Sequence, residues 1–133
     1  MTILSHPAVG GFVSHSGWNS TIESVWCGVT MATWPMYAEQ QINALQLVKI
    51  LKIANEIKMD YMKDNYVSSE PSVLVKIERG IRCLMDGKSE MINKMKEMKN
   101  YCREATIKGG SSYTSLGKLI EAIMVNIQEG VSD

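Results

Sequence analysis

The chain has 133 residues, of which 45% are hydrophobic, and its 14 basic and 14 acidic side chains cancel to a net charge of zero. This length fits one domain, and this apolar content excludes a disordered tail or a low-complexity linker. Neutrality also argues against nucleic-acid binding, which needs a basic face to neutralise phosphates.

Charge is distributed unevenly along the chain. Before Lys49 the only charged side chains are Glu23 and Glu39. The same stretch holds the rarest residue types, namely both histidines, all three tryptophans and the single phenylalanine: His6, His15, Trp18, Trp26, Trp34 and Phe12. We therefore expect the chemistry in this first part, and amphipathic helices in the charged remainder.

The three cysteines, Cys27, Cys83 and Cys102, are widely spaced and form no CxxC or Cys–His cluster. This spacing predicts neither a zinc site nor a disulfide framework, so we expect reduced thiols and no metal. No apolar run reaches the ~18–20 residues of a membrane span, and no signal-peptide pattern opens the chain. These observations favour a cytoplasmic protein without a membrane span.

Residues 9–57 alternate between short apolar runs and amphipathic stretches. The pattern predicts three strands, over 9–15, 29–34 and 53–57, and Pro35 ends the second of them. A helix is predicted from about Asn19 to Cys27, where Gly28 stops it. A second helix is predicted over 38–50, with Ile42, Leu45 and Val48 on one face. Ser20 and Glu23 have the S-x-x-E spacing of a capping box at the first helix. This order predicts an α/β fold with a parallel sheet and crossover helices.

Helical patterns dominate the rest of the chain after a turn signal over 68–71. Three apolar stripes follow at helical spacing, and Asp86-Gly87 and Gly109-Gly110 divide them. The first consists of Val73, Ile77, Ile81 and Leu84, and the second, which we interpret as core, of Met91, Met95, Met98 and Cys102. The third is expected to face inward and consists of Leu116, Leu119, Ile120, Ile123 and Ile127. Ser111 or Ser112 is expected to cap the last helix. We therefore divide the chain into an α/β segment, 1–67, and a helical segment of the same lobe, 68–133.

Gly17, Trp18, Asn19 and Ser20 lie between a predicted strand end and a predicted helix start. Helix N-termini present unpaired N–H groups and a partial positive charge, and ligands of parallel sheets bind at the carboxyl ends of strands. With His15 at the strand end, these residues suit a diphosphate. Alternatively, Asn19 and Ser20 are only helix caps, since neither common glycine-rich phosphate motif is present.

Glu23 and the pair Glu39-Gln40 each allow two interpretations. Glu23 completes the capping box, but it also lies one turn after Asn19, where a carboxylate can accept both hydroxyls of a ribose. Glu39 and Gln40 open a helix after the second strand. They suit the adjacent hydroxyls of a hexose, or they form an acidic first turn favoured by the helix dipole.

The segment HPAVGGFVSHSGWNSTIESVWCGVTMATWPMYAEQQ, residues 6–41, closely resembles the signature box of plant family-1 UDP-glycosyltransferases. The spacing from His15 through GWNS and Glu23 to Glu39-Gln40 matches without a gap. Segments 56–64, 77–86 and 109–124 resemble the subgroup that glucosylates flavonols, hydroquinone and related phenols, so the resemblance covers essentially the whole chain.

This resemblance implies a UDP-glucose donor, a small phenolic acceptor, no cofactor and no metal. The implied roles are diphosphate contacts by His15, Asn19 and Ser20 in a pocket that Gly17 and Trp18 help to form, ribose binding by Glu23, sugar binding by Glu39 and Gln40, and proximity to the acceptor for Ala38. The family fold is GT-B, with two Rossmann-like lobes and the donor on the C-terminal lobe, and the reaction inverts the anomeric centre.

The sequence also departs from the family pattern. The tryptophan and glutamine that open the box are absent, and so is the N-terminal lobe that carries the general base. Ser16 and Thr30 stand where cysteine and proline are common. We therefore expect the C-terminal UDP-sugar-binding portion of a glucosyltransferase, inactive by itself. The alternatives are a non-catalytic UDP-sugar-binding or lobe-pairing module, and a truncated gene product without an independent role.

Overall fold

The computed structural model describes residues 3–59, 73–87 and 89–130. Within these ranges the elements are β1 (Phe12–Ser14), α1 (Trp18–Cys27), β2 (Met31–Thr33), α2 (Ala38–Leu45), β3 (Ala54–Glu56), α3 (Val73–Asp86), α4 (Ser89–Thr106) and α5 (Ser111–Gly130). A π-helical turn, Gln46–Ile50, continues α2. The chain divides into two compact units, Met1–Lys99 and Asn100–Asp133. The predicted boundary at 67/68 and the turn signal over 68–71 lie outside the described residues.

The three strands form one parallel sheet in the order β1-β2-β3. Ser14 pairs with Thr33, and Thr33 pairs with Glu56, so the carboxyl ends of all three strands meet at one edge. This confirms the predicted parallel sheet with crossover helices. Each strand is only three residues long and therefore shorter than the apolar run that predicts it.

The core of the first unit lies between the sheet and α3. Ala32 of β2, Ile57 after β3 and Leu84 of α3 are buried together, and Trp34 and Ile77 pack against them. The methionine stripe of α4 is also core at its start, as predicted, because Met91 and Met95 are buried.

The start of α1 differs from the prediction. The helix begins at Trp18, Gly17 is its N-cap residue, and no described side chain forms a cap hydrogen bond there. Ser20 is already inside the helix, so Ser20 and Glu23 do not form the predicted capping box, and Asn19 is not a cap either. The reason is the φ of 66° at Ser16, which turns the chain directly from β1 into the helix.

The end of α1 agrees with the prediction, whereas the inner face of α2 does not. Gly28 stops α1 in the left-handed conformation, with a φ of 74°. Of the three residues predicted on this face, Ile42 and Leu45 are 61% and 46% exposed and only Val48 is half-buried. Among the residues whose burial is described, this helix and its π-helical turn bury Gln40, Ala44 and Leu47 instead. Burial of a polar residue in place of an isoleucine is possible because local hydrogen bonds satisfy the Gln40 amide oxygen.

The last helix lies in the second unit, and its residues from Ser111 to Gln128 are exposed, apart from the half-buried Gly117. The five apolar residues expected to face inward are between 48% and 57% exposed: Leu116, Leu119, Ile120, Ile123 and Ile127. That expectation is wrong for this chain because the unit contains only the end of α4 beside α5, which is too little surface to cover twenty residues. α5 also begins at Ser111 itself, so Gly110 rather than a serine precedes it.

Candidate functional site

The predicted site residues follow β1 and β2, which are neighbours in the sheet. The Trp34 N–H donates to the Ser14 carbonyl at 2.8 Å, so the ladder extends to the ends of both strands. The helices that begin beyond this edge, α1 and α2, are in contact. The fold therefore places the two predicted clusters, His15–Glu23 and Ala38–Gln40, side by side at the carboxyl edge.

The first backbone N–H groups of α1 have no hydrogen-bond acceptor among the residues that the structure describes. Its first hydrogen bond runs from the Thr21 N–H to the Gly17 carbonyl at 3.0 Å. The N–H groups of Trp18, Asn19 and Ser20 precede that bond and lie outside the ladder of the helix. Because Gly17 provides no side-chain cap, these donors and the positive end of the helix dipole are left for another acceptor.

His15 lies against this helix terminus. A Cβ atom placed on Gly17 would come within 2.5 Å of the His15 Nε2, so only glycine leaves room for the imidazole in this position. The His15 and Trp18 side chains are exposed, and Trp18 is 61% exposed. A ring nitrogen and the backbone N–H groups can therefore reach the same ligand from solvent.

The turn between β1 and α1 is fixed by residues that the sequence patterns do not mark as part of the site. The Ser16 N–H donates to the Ser14 Oγ at 3.1 Å, and the Ser16 carbonyl accepts from the Asn43 Nδ2 at 3.0 Å. Ser16 is fully buried, and its Oγ has no hydrogen-bond partner among the residues that the structure describes. No local pattern in the sequence marks Asn43 for this role, because its partner is 27 residues away.

The start of α2 holds the second cluster. The Gln40 Oε1 accepts from the N–H groups of Met36 at 2.9 Å and Tyr37 at 3.2 Å, and the Gln40 side chain is only 5% exposed. Glu39 is exposed in the first turn of the helix, where its charge also complements the helix dipole. Ala38 is the first helical residue. Gln40 thus has a structural role in addition to any contact with a ligand.

Glu23 is half-buried on α1, one turn after Asn19. A cavity of about 270 Å³ lies elsewhere, beside β3, and none of the predicted site residues lines it: its lining is Val48, Lys52, Ala54, Asn55, Glu56, Glu90 and Met91.

Across the described ranges, no three His, Cys, Asp or Glu side chains are grouped to hold a metal ion. No described helix has the length and apolar character needed to cross a membrane. All three cysteines are free and half-buried.

Known proteins match this chain along most of its length. The family described as UDP-glucoronosyl and UDP-glucosyl transferase matches residues 1–74, more than half of the chain. The UDP-glucose flavonoid 3-O-glucosyltransferase 6 of Fragaria ananassa is 53% identical over 128 residues, which are 95% of this chain and 26% of that protein. The anthocyanidin 3-O-glucosyltransferase 1 of Manihot esculenta is 56% identical over 121 residues, or 91% and 26% of the two proteins.

A solved structure agrees with these relatives. The crystal structure of Medicago truncatula UGT71G1 with UDP-glucose matches with a TM-score of 0.79 and 46% identity, over 92% of this chain and 26% of that one. The chain therefore spans about a quarter of the length of the relatives it matches. Its parallel strands and crossover helices are part of a Rossmann-like lobe of a GT-B glycosyltransferase, as predicted. This chain belongs to the plant family-1 UDP-glycosyltransferases.

Proposed function

We propose that this chain binds UDP-glucose and is the donor-binding portion of a glucosyltransferase that acts on hydroxyl groups of small phenolic acceptors. The observation that carries the proposal is the uncapped N-terminus of α1 with His15 packed against Gly17 at the carboxyl edge of the sheet. The names of the Fragaria and Manihot relatives, and the UDP-glucose in the Medicago structure, support this donor and this class of acceptor.

The diphosphate would bind at the N-terminus of α1. The free N–H groups there, together with a dipole equivalent to about half a positive charge, stabilise an anion without a metal ion. The His15 imidazole and the short side chains of Asn19 and Ser20 would add donors on the same side, with Trp18 lining the pocket. Glu23, one turn further along, would accept the ribose hydroxyls.

The glucose would bind at the start of α2, in the second cluster. Because backbone N–H groups already occupy the Gln40 Oε1, the side-chain nitrogen is the atom that would donate to a sugar oxygen. The Glu39 carboxylate would accept from sugar hydroxyls. The pair thus offers one acceptor and one donor to adjacent hydroxyls, and Ala38, directly before them, would lie near the acceptor molecule.

In the complete enzyme the acceptor oxygen would attack the anomeric carbon on the face opposite UDP. The new bond forms as the bond from the anomeric carbon to the diphosphate oxygen breaks, and the electron pair goes to that oxygen, so the configuration inverts. The acceptor proton goes to a general base that the family resemblance assigns to the N-terminal lobe. The residues around α1 would stabilise the leaving diphosphate as its charge develops.

We further propose that the 133-residue chain binds the donor without transferring glucose by itself. Support comes from the matched relatives, which are about four times as long as the aligned region. The base and the acceptor pocket supply much of a transferase's rate, because they align and activate the nucleophile. The second candidate function is a UDP-sugar-binding or lobe-pairing module. It also rests on the uncapped N-terminus of α1 beside His15.

Calorimetric titration of the purified chain with UDP-glucose tests donor binding. We expect saturable heat that weakens about tenfold in His15→Ala, and unchanged binding in His6→Ala, the same substitution outside the candidate site. Absence of heat at millimolar UDP-glucose would overturn the proposal. Transfer of glucose to a flavonol such as quercetin by the chain alone, lost in His15→Ala, would overturn the second part and support an active enzyme.

A further inference from the structure

We propose that Asn43 is a positioning residue for the diphosphate site. It acts through the carbonyl of Ser16, which its side-chain nitrogen holds at 3.0 Å across 27 residues of sequence. The inference rests on the proposed function and deepens it. Asn43 needs no contact with the ligand, because its role is to fix the turn that aims the N-terminus of α1.

The turn at Ser16 needs external support. A φ of 66° is unfavourable for any residue with a Cβ atom. Two hydrogen bonds hold the backbone of this one residue, from its own N–H to the Ser14 Oγ and from the Asn43 Nδ2 to its carbonyl. The first bond is local to the loop, whereas the second fastens the loop to another helix. Of these two hydrogen bonds, the one from Asn43 is therefore the one that connects the turn to α2.

The conformation of Ser16 determines where the site donors lie. His15 precedes it and Gly17 follows it, and the imidazole lies against Gly17 across the positive φ of Ser16. If the Ser16 carbonyl were released, the residue could return to a negative φ, and the His15 ring would separate from the N–H groups of α1. The loss would fall on the diphosphate, which both UDP and UDP-glucose carry.

The position of Asn43 on α2 joins the two halves of the site. It is half-buried, one turn after Gln40, on the side of the helix that buries Ala44 and Leu47. α2 thus carries the proposed sugar-binding pair in its first turn and holds the diphosphate loop from its second turn. A simple packing role would require only a side chain of this size, whereas the positioning role requires the amide donor.

The test measures the affinity of the full 133-residue chain for UDP and for UDP-glucose by calorimetry. Asn43→Leu keeps the size of the side chain and removes the donor without adding charge beside the diphosphate. We expect both affinities to fall about tenfold, equivalent to ~1.4 kcal/mol, with an unchanged circular dichroism spectrum. Asn93→Leu on the exposed face of α4 is the matched control and should bind as the wild type does.

Rescue separates positioning from packing. Glycine adopts a positive φ without penalty, so in a Ser16→Gly background the Asn43→Leu change should lower affinity no more than about threefold. If Asn43→Leu fails to fold, Asn43→Ala removes the same donor without placing a larger apolar side chain beside Ser16, and it should weaken both ligands in the same way. Equal affinities for wild type and Asn43→Leu, a loss with UDP-glucose alone, or an unrescued double variant would each overturn the inference. A wild-type chain that binds neither ligand would instead overturn the proposed function.

Discussion

The Lys99 Nζ donates a hydrogen bond of 3.0 Å to the carbonyl oxygen of Cys27, so a lysine of α4 caps the carboxyl end of α1. The aliphatic part of the same side chain lies over Gly28, where an added Cβ atom would come within 2.7 Å of the Lys99 Cδ. A positive charge at this end complements the helix dipole. The two termini of α1 therefore differ, because Lys99 caps one, whereas no described side chain caps the other, where we propose that the diphosphate binds.

Lys99→Met should remove this cap and retain the packing over Gly28. We expect the free energy of unfolding to fall by about 1 kcal/mol, since a half-buried carbonyl loses a charged donor. Urea denaturation followed by circular dichroism measures the change. Lys96→Met, on the exposed side of the same helix, is the control and should change stability by less than about 0.5 kcal/mol. Equal losses in the two variants would contradict the capping role.

Gly80→Ala should destabilise the first unit although alanine favours helices. The new Cβ atom would overlap the Ile57 Cγ1, which α3 approaches closely at this residue. We expect a loss of about 1–3 kcal/mol from overpacking, which outweighs a helix-propensity gain of about 1 kcal/mol. Gly117→Ala in α5 meets no atom within 4 Å and should raise helix stability instead. Urea titrations in which both variants changed stability in the same direction would refute this account of the contact.

Ser16 and Ser24 offer a matched pair of fully buried hydroxyls. The Ser24 Oγ donates to the Val29 carbonyl, whereas no described residue bonds the Ser16 Oγ. Ser16→Ala should therefore raise the free energy of unfolding by about 1 kcal/mol, and Ser24→Ala should lower it by about 1–3 kcal/mol. The absence of a described partner for the Ser16 Oγ also fits the cysteine that the family resemblance places at this position, since a thiol is a weak donor. A loss of stability in Ser16→Ala would show that its hydroxyl is satisfied in solution.

Gly17→Ala should weaken UDP binding with little effect on folding. The alanine Cβ would displace the His15 imidazole, because the two would be 2.5 Å apart. We expect an affinity loss of about tenfold, comparable to the loss of one charge-assisted hydrogen bond. Gly10→Ala, with no atom within 4 Å of the new Cβ, is the control for titrations by calorimetry. If Gly17→Ala bound UDP with wild-type affinity, His15 would not be part of the binding site.

The alternation of strands and helices over residues 9–57 could be predicted because local signals determine it. Apolar runs define the three strands, and Gly28 ends α1 as its left-handed φ requires. The start of α1 could not be predicted in the same way. The S-x-x-E spacing of Ser20 and Glu23 indicates Ser20 as the N-cap residue, whereas the turn at Ser16, held from α2, places the N-cap three residues earlier, at Gly17.

The candidate site likewise contains residues that local sequence signals mark and residues that only the fold brings to it. The position of His15, Glu39 and the residues between β1 and α1 at the carboxyl edge of the sheet could be predicted from the strand ends, whereas their ligand contacts remain a prediction from the family resemblance. Asn43 could not be predicted, because its partner is 27 residues away and only the sheet order brings the two together. The structural role of Gln40 was not predicted either, because the family resemblance assigns this residue to sugar binding. Its side-chain oxygen accepts a hydrogen bond from the loop before α2.

Titration of the ¹⁵N-labelled chain with UDP tests most directly whether the N-terminus of α1 binds the diphosphate, as we propose. We predict saturable shifts in the backbone amide signals of Trp18, Asn19 and Ser20, and unchanged signals along α5. Saturable shifts confined to residues around the cavity beside β3, or no shifts at millimolar UDP, would contradict the claim.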